Sequence, residues 1–391
     1  MKLRALTAAT LSLLASGSGQ VLAQGTTQPD RHASLRQEMQ LAYQRGLDFL
    51  KTKQAANGQW GSAEPVAFTG LISAAFLLDP ARKPDAPIPP EAQKGTDYLL
   101  TQVQPDGGIY VQARANYNTA LALMALLLNP QPRYEQTLLA ARRFLISRQT
   151  DLDEPGKNDN PLDGGIGYGD ERGHHADLSN TAFVLEALHY AEVLLADKGD
   201  AARNEPQLNF AAAIDFIQRC QNRTETNSGS WVSAAPEDQG GFVYSPGDTR
   251  GESYQTSDGR TALRSYGSIS YAGMMSFIYA GLTREDPRVQ AAMKWLTQNY
   301  TLDENPGMGA QGQFYYYHTM AKALNAAQVD FLKLADGQTV DWRQALAEKL
   351  LAIQQGDGSW VNSGSARWME SDPELVTGYI LMALARIYET L

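Results

Sequence analysis

Three places in the sequence gather side chains that could do acid–base or metal chemistry. The first is His174-His175-x-Asp177, which follows the Gly- and Asp-rich stretch DGGIGYGDERG at 163–173. His175 and Asp177 could form an acid–base pair or two ligands of a metal. Adjacent histidines point different ways on a helix, so His174 and His175 make a poor bidentate pair. Asp177 also reads as the N-cap of the apolar segment behind it. The second place is His318, inside the aromatic run Phe314-Tyr315-Tyr316-Tyr317. The third is the set of acids Asp163, Asp170, Glu171 and Asp177, from which a glycosidase-type carboxylate pair could be drawn. Asp177, His175 and His318 are the catalytic candidates. Cys220 is the only cysteine. It cannot form an internal disulfide, so the chain must be held by core packing.

These residues sit inside a larger pattern. An apolar segment ending in Gln, then a glycine turn and an aromatic residue, returns along the chain. The aligned positions are Gln54, Gln104, Gln149, Gln221, Tyr300 and Gln355. The turns read Gly58-Gln59-Trp60, Gly107-Gly108-Ile109-Tyr110, Gly165-Ile166-Gly167-Tyr168, Gly229-Ser230-Trp231 and Gly358-Ser359-Trp360, with a looser turn at 309–314. After each turn comes a second segment, apolar nearly all round, of helical length. The first segments carry more charge, as at Lys51, Lys53, Arg142 and Arg143. A helix pair cannot bury both apolar sides alone. The pattern therefore predicts an all-α fold, an (α/α)6 barrel or toroid of six helix-pair repeats, with first helices outside and second helices inside. The chain ends on an apolar helix rather than a polar cap, which favours a closed ring. Each Gln–Gly–aromatic motif reads as a staple from an outer helix to its inner partner. Trp60, Trp231 and Trp360 are then structural.

The aromatic-Leu-x3-Gln-x-Gly-x-Trp pattern resembles the QW repeat of squalene and oxidosqualene cyclases, over nearly all of residues 34–391. That superfamily shares an α/α barrel with the β subunits of protein prenyltransferases. The resemblance implies an Asp-x-Asp-Asp-Thr-Ala acid motif at an inner-helix start. Here the similar stretch is Asp177-Leu178-Ser179-Asn180-Thr181-Ala182. Ser179 and Asn180 stand where the catalytic carboxylates belong, and neither is a strong acid. The prenyltransferase branch implies zinc held by Asp, Cys and His. Tyr316-Tyr317-His318-Thr319 is similar to its His motif. Cys220 falls inside an outer segment, so only His318 matches a ligand position and no metal or other cofactor is expected.

The inner segments align on Thr69, Thr119, Thr181, Tyr271, Thr319 and Thr377. The residues just before these would ring one mouth of the central cavity. Phe68, Asn118, Asn180, Ser270, Tyr317 and His318 are the expected ligand-binding residues, a polar ring above an apolar, aromatic shaft. The alternative for the Asn and Ser positions is ordinary helix capping. Loop 222–265 is expected to fold over one mouth.

Lys2 and Arg4, the apolar run 5–16 and Val21-Leu22-Ala23 read as a cleavable signal peptide, 1–23. Residues 24–33 read as a flexible linker and 34–391 as one toroid domain. The expectation is an exported protein, periplasmic or secreted, with no transmembrane segment in the mature form. A net charge of −10 without a basic run argues against nucleic acid. The expected partner is a small apolar ligand, isoprenoid- or lipid-like; any protein partner is unidentified. The alternatives are a carbohydrate-active enzyme on an α/α barrel, a cyclase or prenyl transferase with a displaced site, and a partner-binding scaffold.

Overall fold

The computed structural model describes residues 32–169, 175–196 and 199–391. The signal peptide lies outside the described residues, as do His174, Asp170 and Glu171. The first helix starts at Ala33, inside the stretch expected as linker.

Among the described residues six helix pairs follow one another. They are α1 (Ala33–Lys51) with α2 (Pro65–Leu77), α3 (Pro90–Thr101) with α4 (Ala115–Leu128), and α5 (Glu135–Ile146) with α6 (Leu178–Ala191). The second half has α7 (Phe210–Arg219) with α8 (Gly267–Tyr279), α9 (Pro287–Gln298) with α10 (Gln313–Ala326), and α11 (Trp342–Ala352) with α12 (Pro373–Thr390). The even-numbered helices form the inner ring. Each packs on the next, and α12 packs back on α2, which closes it. The composition explains the division. Every residue of α2 from Val66 to Leu77 is buried, as an inner helix requires. By contrast α1 buries one stripe, including Met39, Tyr43, Leu47 and Leu50.

The glycine turns tie neighbours together in two directions. Inward, the backbone N–H of Trp60, Ile109, Ile166 and Trp360 donates to Thr69, Thr119, Thr181 and Thr377 Oγ1, at 2.9 to 3.0 Å. Sideways, Gln54 Nε2 donates to Gly58 O and to Glu91 O of the next outer helix, both at 2.9 Å. Gln149 and Gln221 do the same toward Asn209 and Arg288. The last of the series, Gln354 Nε2, reaches Ala42 O at 2.8 Å and so joins the sixth pair to the first. The motif therefore staples outer helix to outer helix as well as outer to inner.

Three alignments need correcting. In the sixth pair the stapling residue is Gln354, not Gln355. In the second pair Gln104 bonds only within its own turn, to Gln102 O and Tyr110 O. In the fourth pair the turn is Gly240-Gly241-Phe242, because Gln221 Nε2 donates to Gly240 O and Phe242 N to Ser270 Oγ. Trp231 belongs to an inserted loop, although its Nε1 still donates to Arg219 O at 3.1 Å.

That loop carries a hairpin of β1 (Ser253–Gln255) and β2 (Thr261–Leu263), with Ser253 opposite Leu263. A second small hairpin pairs β3 (Leu332–Lys333) with β4 (Thr339–Val340). Among the described residues no helix is long and apolar enough to cross a membrane.

Candidate functional site

The N-terminal ends of the inner helices surround a cavity of about 380 Å³. Eight aromatic residues stand in its wall. Tyr117 and Tyr315 come from the first turns of inner helices, Phe183 and Tyr379 from the second turns, and Tyr168, Tyr244 and Tyr266 from the loops above. The rings brace one another. Phe183 meets Tyr117 edge-on at 5.2 Å and Tyr315 at 6.1 Å, and Tyr315 lies 5.9 Å from Tyr379. Such pairs stabilise by about 0.5–1.5 kcal/mol beyond the area they bury. Ser179 Oγ and the Tyr315 hydroxyl are 2.9 Å apart. Arg250 lies 4.2 Å from the Tyr244 ring centre, and Arg114 lies 5.4 Å from that of Tyr168. Loop 222–265 thus supplies Tyr244 and Arg250 to this mouth.

Two buried carboxyls cap helices that border the cavity. Asp177 caps α6: it accepts from Asn180 N at 2.9 Å and from Asn180 Nδ2 at 2.8 Å. Burial pushes its carboxyl up to about 6, against hydrogen bonds from Asn180 and Tyr244 that pull the other way. Glu370 lines the cavity and caps α10, accepting from Tyr315 N at 2.7 Å and Asn362 Nδ2 at 2.6 Å. Burial pushes it up to about 7. Just before it, Trp368 and Met369 are consecutive non-glycine residues with φ of 56° and 63°. Backbone held in this region is strained. Both side chains line the cavity.

The structure distributes the expected site residues as follows. His175 does not pair with Asp177; its Nε2 faces Asp248 Oδ2 at 3.8 Å on the half-exposed rim. Asp163 accepts from the backbone of Leu152, Asp159 and Asn160 and holds its own loop. Asn180 does line the cavity. Asn118 does not: its side chain accepts from Ala67 N and donates to Ala113 O and Arg114 O, tying α2 to the start of α4. Ser270 is the fourth-pair equivalent of the stapling threonines, donating to Tyr266 O and accepting from Phe242 N. Phe68 packs against the Gly61 backbone in the first turn. Tyr317 donates its hydroxyl to Leu302 O at 2.6 Å, away from the axis.

His318 lies deeper. Its Nδ1 is 3.3 Å from Tyr379 O and its ring is 5.0 Å from the Tyr379 ring. It lines a second, smaller compartment together with Glu186 and Lys322, which are ion-paired. The shaft is therefore not apolar throughout. Cys220 is buried in the outer layer at the end of α7. Among the described residues no group of three or more His, Cys, Asp or Glu is placed to hold a metal.

In the four pairs stapled by a threonine the misplacement has one cause: Thr69, Thr119, Thr181 and Thr377 face outward to the glycine turns. In the fifth pair Thr319 bonds only within its own helix and Tyr317 takes the outward position. A helix turns by roughly 100° per residue, so the preceding residue points sideways into a neighbouring helix. Residues two before and two after point to the axis. Tyr117 and Leu121 flank Thr119 in this way, Ser179 and Phe183 flank Thr181, and Leu375 and Tyr379 flank Thr377; all line one of the two compartments. That spacing would have found them.

No family model matches the chain. A stretch of 153 residues, 37% of this chain, is 32% identical to the squalene–hopene cyclase of Alicyclobacillus acidocaldarius. The match spans only 23% of that enzyme's length. Among solved structures, a variant of the type II terpene cyclase MstE from Scytonema, without ligand, superposes with a TM-score of 0.55. The match covers 92% of this chain and 99% of that one, at 14% identity. Another MstE variant, in complex with geranylgeranyl dihydroxybenzoate, gives 0.54 at 13% identity over the same shares. At such identity the likeness is one of fold. Among the described residues twelve α-helices in six pairs, an inner ring closed by α12 on α2, and these neighbours agree: in fold the chain is a terpenoid cyclase/prenyltransferase-like α/α toroid.

Proposed function

We propose that this protein is exported and binds an apolar, isoprenoid- or lipid-like molecule in the tyrosine-lined mouth of the ring, without protonating it. The observation that carries this reading is the aromatic cavity with Ser179 and Asn180 at its wall, where the resemblance implies carboxylates. A cavity of several hundred Å³ walled by aromatic rings, with a few polar groups, suits a ligand of mostly hydrocarbon surface. The neighbour MstE accommodates a geranylgeranyl substrate on the same fold, which supports the ligand class. Protonating an alkene demands a strong acid. Burial makes Asp177 a weaker acid than a free aspartate, and its oxygens are engaged by Asn180. Binding, rather than carbocation chemistry started by this group, follows.

The test is to purify the mature protein from the periplasmic or secreted fraction and extract it with organic solvent for mass spectrometry. The recovered protein is then titrated with a geranylgeranyl probe. A stoichiometric lipid or terpenoid, and probe binding lost in Ser179→Trp, is the expected result. An empty protein that also ignores the probe would overturn the reading.

A further inference from the structure

The second compartment, of about 50 Å³, begins one turn further along the inner helices, where Glu186 and Met382 follow Phe183 and Tyr379 of the upper cavity. Its wall has two halves. Leu71 and Ala74 of α2 and Leu121 and Met124 of α4 are apolar. Facing them, α6 and α10 bring Glu186, His318 and Lys322. The Lys322 and Glu186 side chains are only 5% and 3% exposed. Lys322 Nζ is also 5.1 Å from the centre of the Phe183 ring. Taking this pair out of water costs several kcal/mol per ion, about as much as their attraction returns, and Leu or Met would fill the space without that cost.

Charge and proton positions define what would fit. Lys322 and Arg386 are balanced by Glu186 and by Glu389, which pairs with Arg386 at 3.3 Å. An added ion would be left without a counter-charge, whereas a neutral group would not. The contact of His318 Nδ1 with Tyr379 O fixes the tautomer, since a carbonyl only accepts. Burial, then the charge of Lys322, keeps the ring neutral. Nε2 is then an acceptor. The compartment therefore combines a cationic donor with two acceptors, Glu186 and His318 Nε2. A hydroxyl both donates and accepts. An ether or carbonyl uses the donor alone, and a carboxylate would compete with Glu186.

We propose that this compartment is a second ligand site, specific for a short-chain aliphatic alcohol, since about 50 Å³ holds only a few non-hydrogen atoms. The hydroxyl sits among Lys322, Glu186 and His318, and the chain runs along the Leu and Met wall. This inference does not require the ligand proposed for the upper cavity.

The experiment compares 1-butanol with its isomer diethyl ether, whose five non-hydrogen atoms suit a space of about 50 Å³, by calorimetry on the mature protein. The wild type should prefer the alcohol at least tenfold. The preference should fall below threefold in Lys322→Met/Glu186→Leu, which leaves no lone buried charge, and should persist in Ser179→Trp. Equal affinity for the two probes, or no binding of either, overturns the proposal. A preference lost in Ser179→Trp but kept in the double variant places the alcohol in the upper cavity, which overturns this proposal and leaves the upper site standing. A readout needing no variant is methyl NMR of the methionines. Butanol should give contacts to Met124 and Met382, which line the lower compartment, and not to Met369, which lines the upper one. The reverse pattern refutes the proposal even if the double variant does not fold.

Discussion

Glu370 concentrates the electrostatics of the mouth in one side chain. Its carboxyl is raised from 4.5 to about 7 by burial, and Asp177 from 3.8 to about 6 by the same cause. A raised carboxyl makes the folded state hold a proton that the unfolded chain has already released. Its contribution is full below the unfolded value and is lost as pH rises through the folded one. For Glu370 that loss is up to about 3 kcal/mol between pH ~4.5 and pH ~7. Stability by urea titration should fall from pH 5 to pH 8, and Glu370→Gln should flatten that fall; an unchanged slope refutes the assignment. Asn180 gives a second residue-scale prediction. Its Nδ2 donates to Asp177 Oδ2 at 2.8 Å, so Asn180→Asp sets two carboxyls face to face. The variant should lose about 1–3 kcal/mol at pH 8 and less at pH 5, where one carboxyl stays protonated. Restoring an acid at this position of the motif therefore conflicts with the local packing. These groups were only partly legible in the sequence. Asp177 as an N-cap was readable from its place before an apolar helix. Glu370 was not, because it caps a helix 57 residues before it in the chain, and no local pattern records that contact.

At the scale of elements, the helix pairs were legible because their signals are local: apolar length, a terminal Gln, a glycine turn. In the fourth pair the alignment slipped because a loop is inserted there. Trp231 sits after a glycine in the expected way, yet the turn that meets Ser270 is at Phe242. Spacing alone could not separate the two. The stapling role predicts an ordering of effects. Gln354→Ala leaves Ala42 O and Gly358 O without their donor and should cost about 1–2 kcal/mol. Gln104→Ala, whose bonds stay within one turn, should cost less. Gly358→Ala should be worst of the three, since φ is 92° and a Cβ would meet Arg45 O at 2.4 Å. Thermal melts of the three variants test the order, and equal losses at Gln104 and Gln354 would remove the distinction between inner and sideways staples.

At the scale of the molecule, closure is the property that matters, because both compartments exist only inside a complete ring. The sequence hinted at it through an apolar last helix, and the contacts explain why that helix is apolar: α12 is covered by α1 outside, α2 on one side and α10 on the other. The seam is tight. A Cβ on Gly378 of α12 would stand 2.8 Å from Leu71 Cδ2 of α2, so Gly378→Val should open it at a cost of several kcal/mol. A closed ring also has no free ends. An open stack of helix pairs unfolds from its terminal units, and its end helices exchange amide hydrogens fastest. Here α2 and α12 should exchange as slowly as α6 and α8, with one cooperative transition for all four. Deleting residues 32–60 removes α1, exposes the apolar stripe of α12 and strips Gln354 of its acceptor on Ala42. The truncated chain should lose the cooperative transition altogether and bind neither a geranylgeranyl probe nor butanol. If it instead melts cooperatively with protected inner helices, the ring does not depend on its seam, and the two compartments must be held by the inner helices alone.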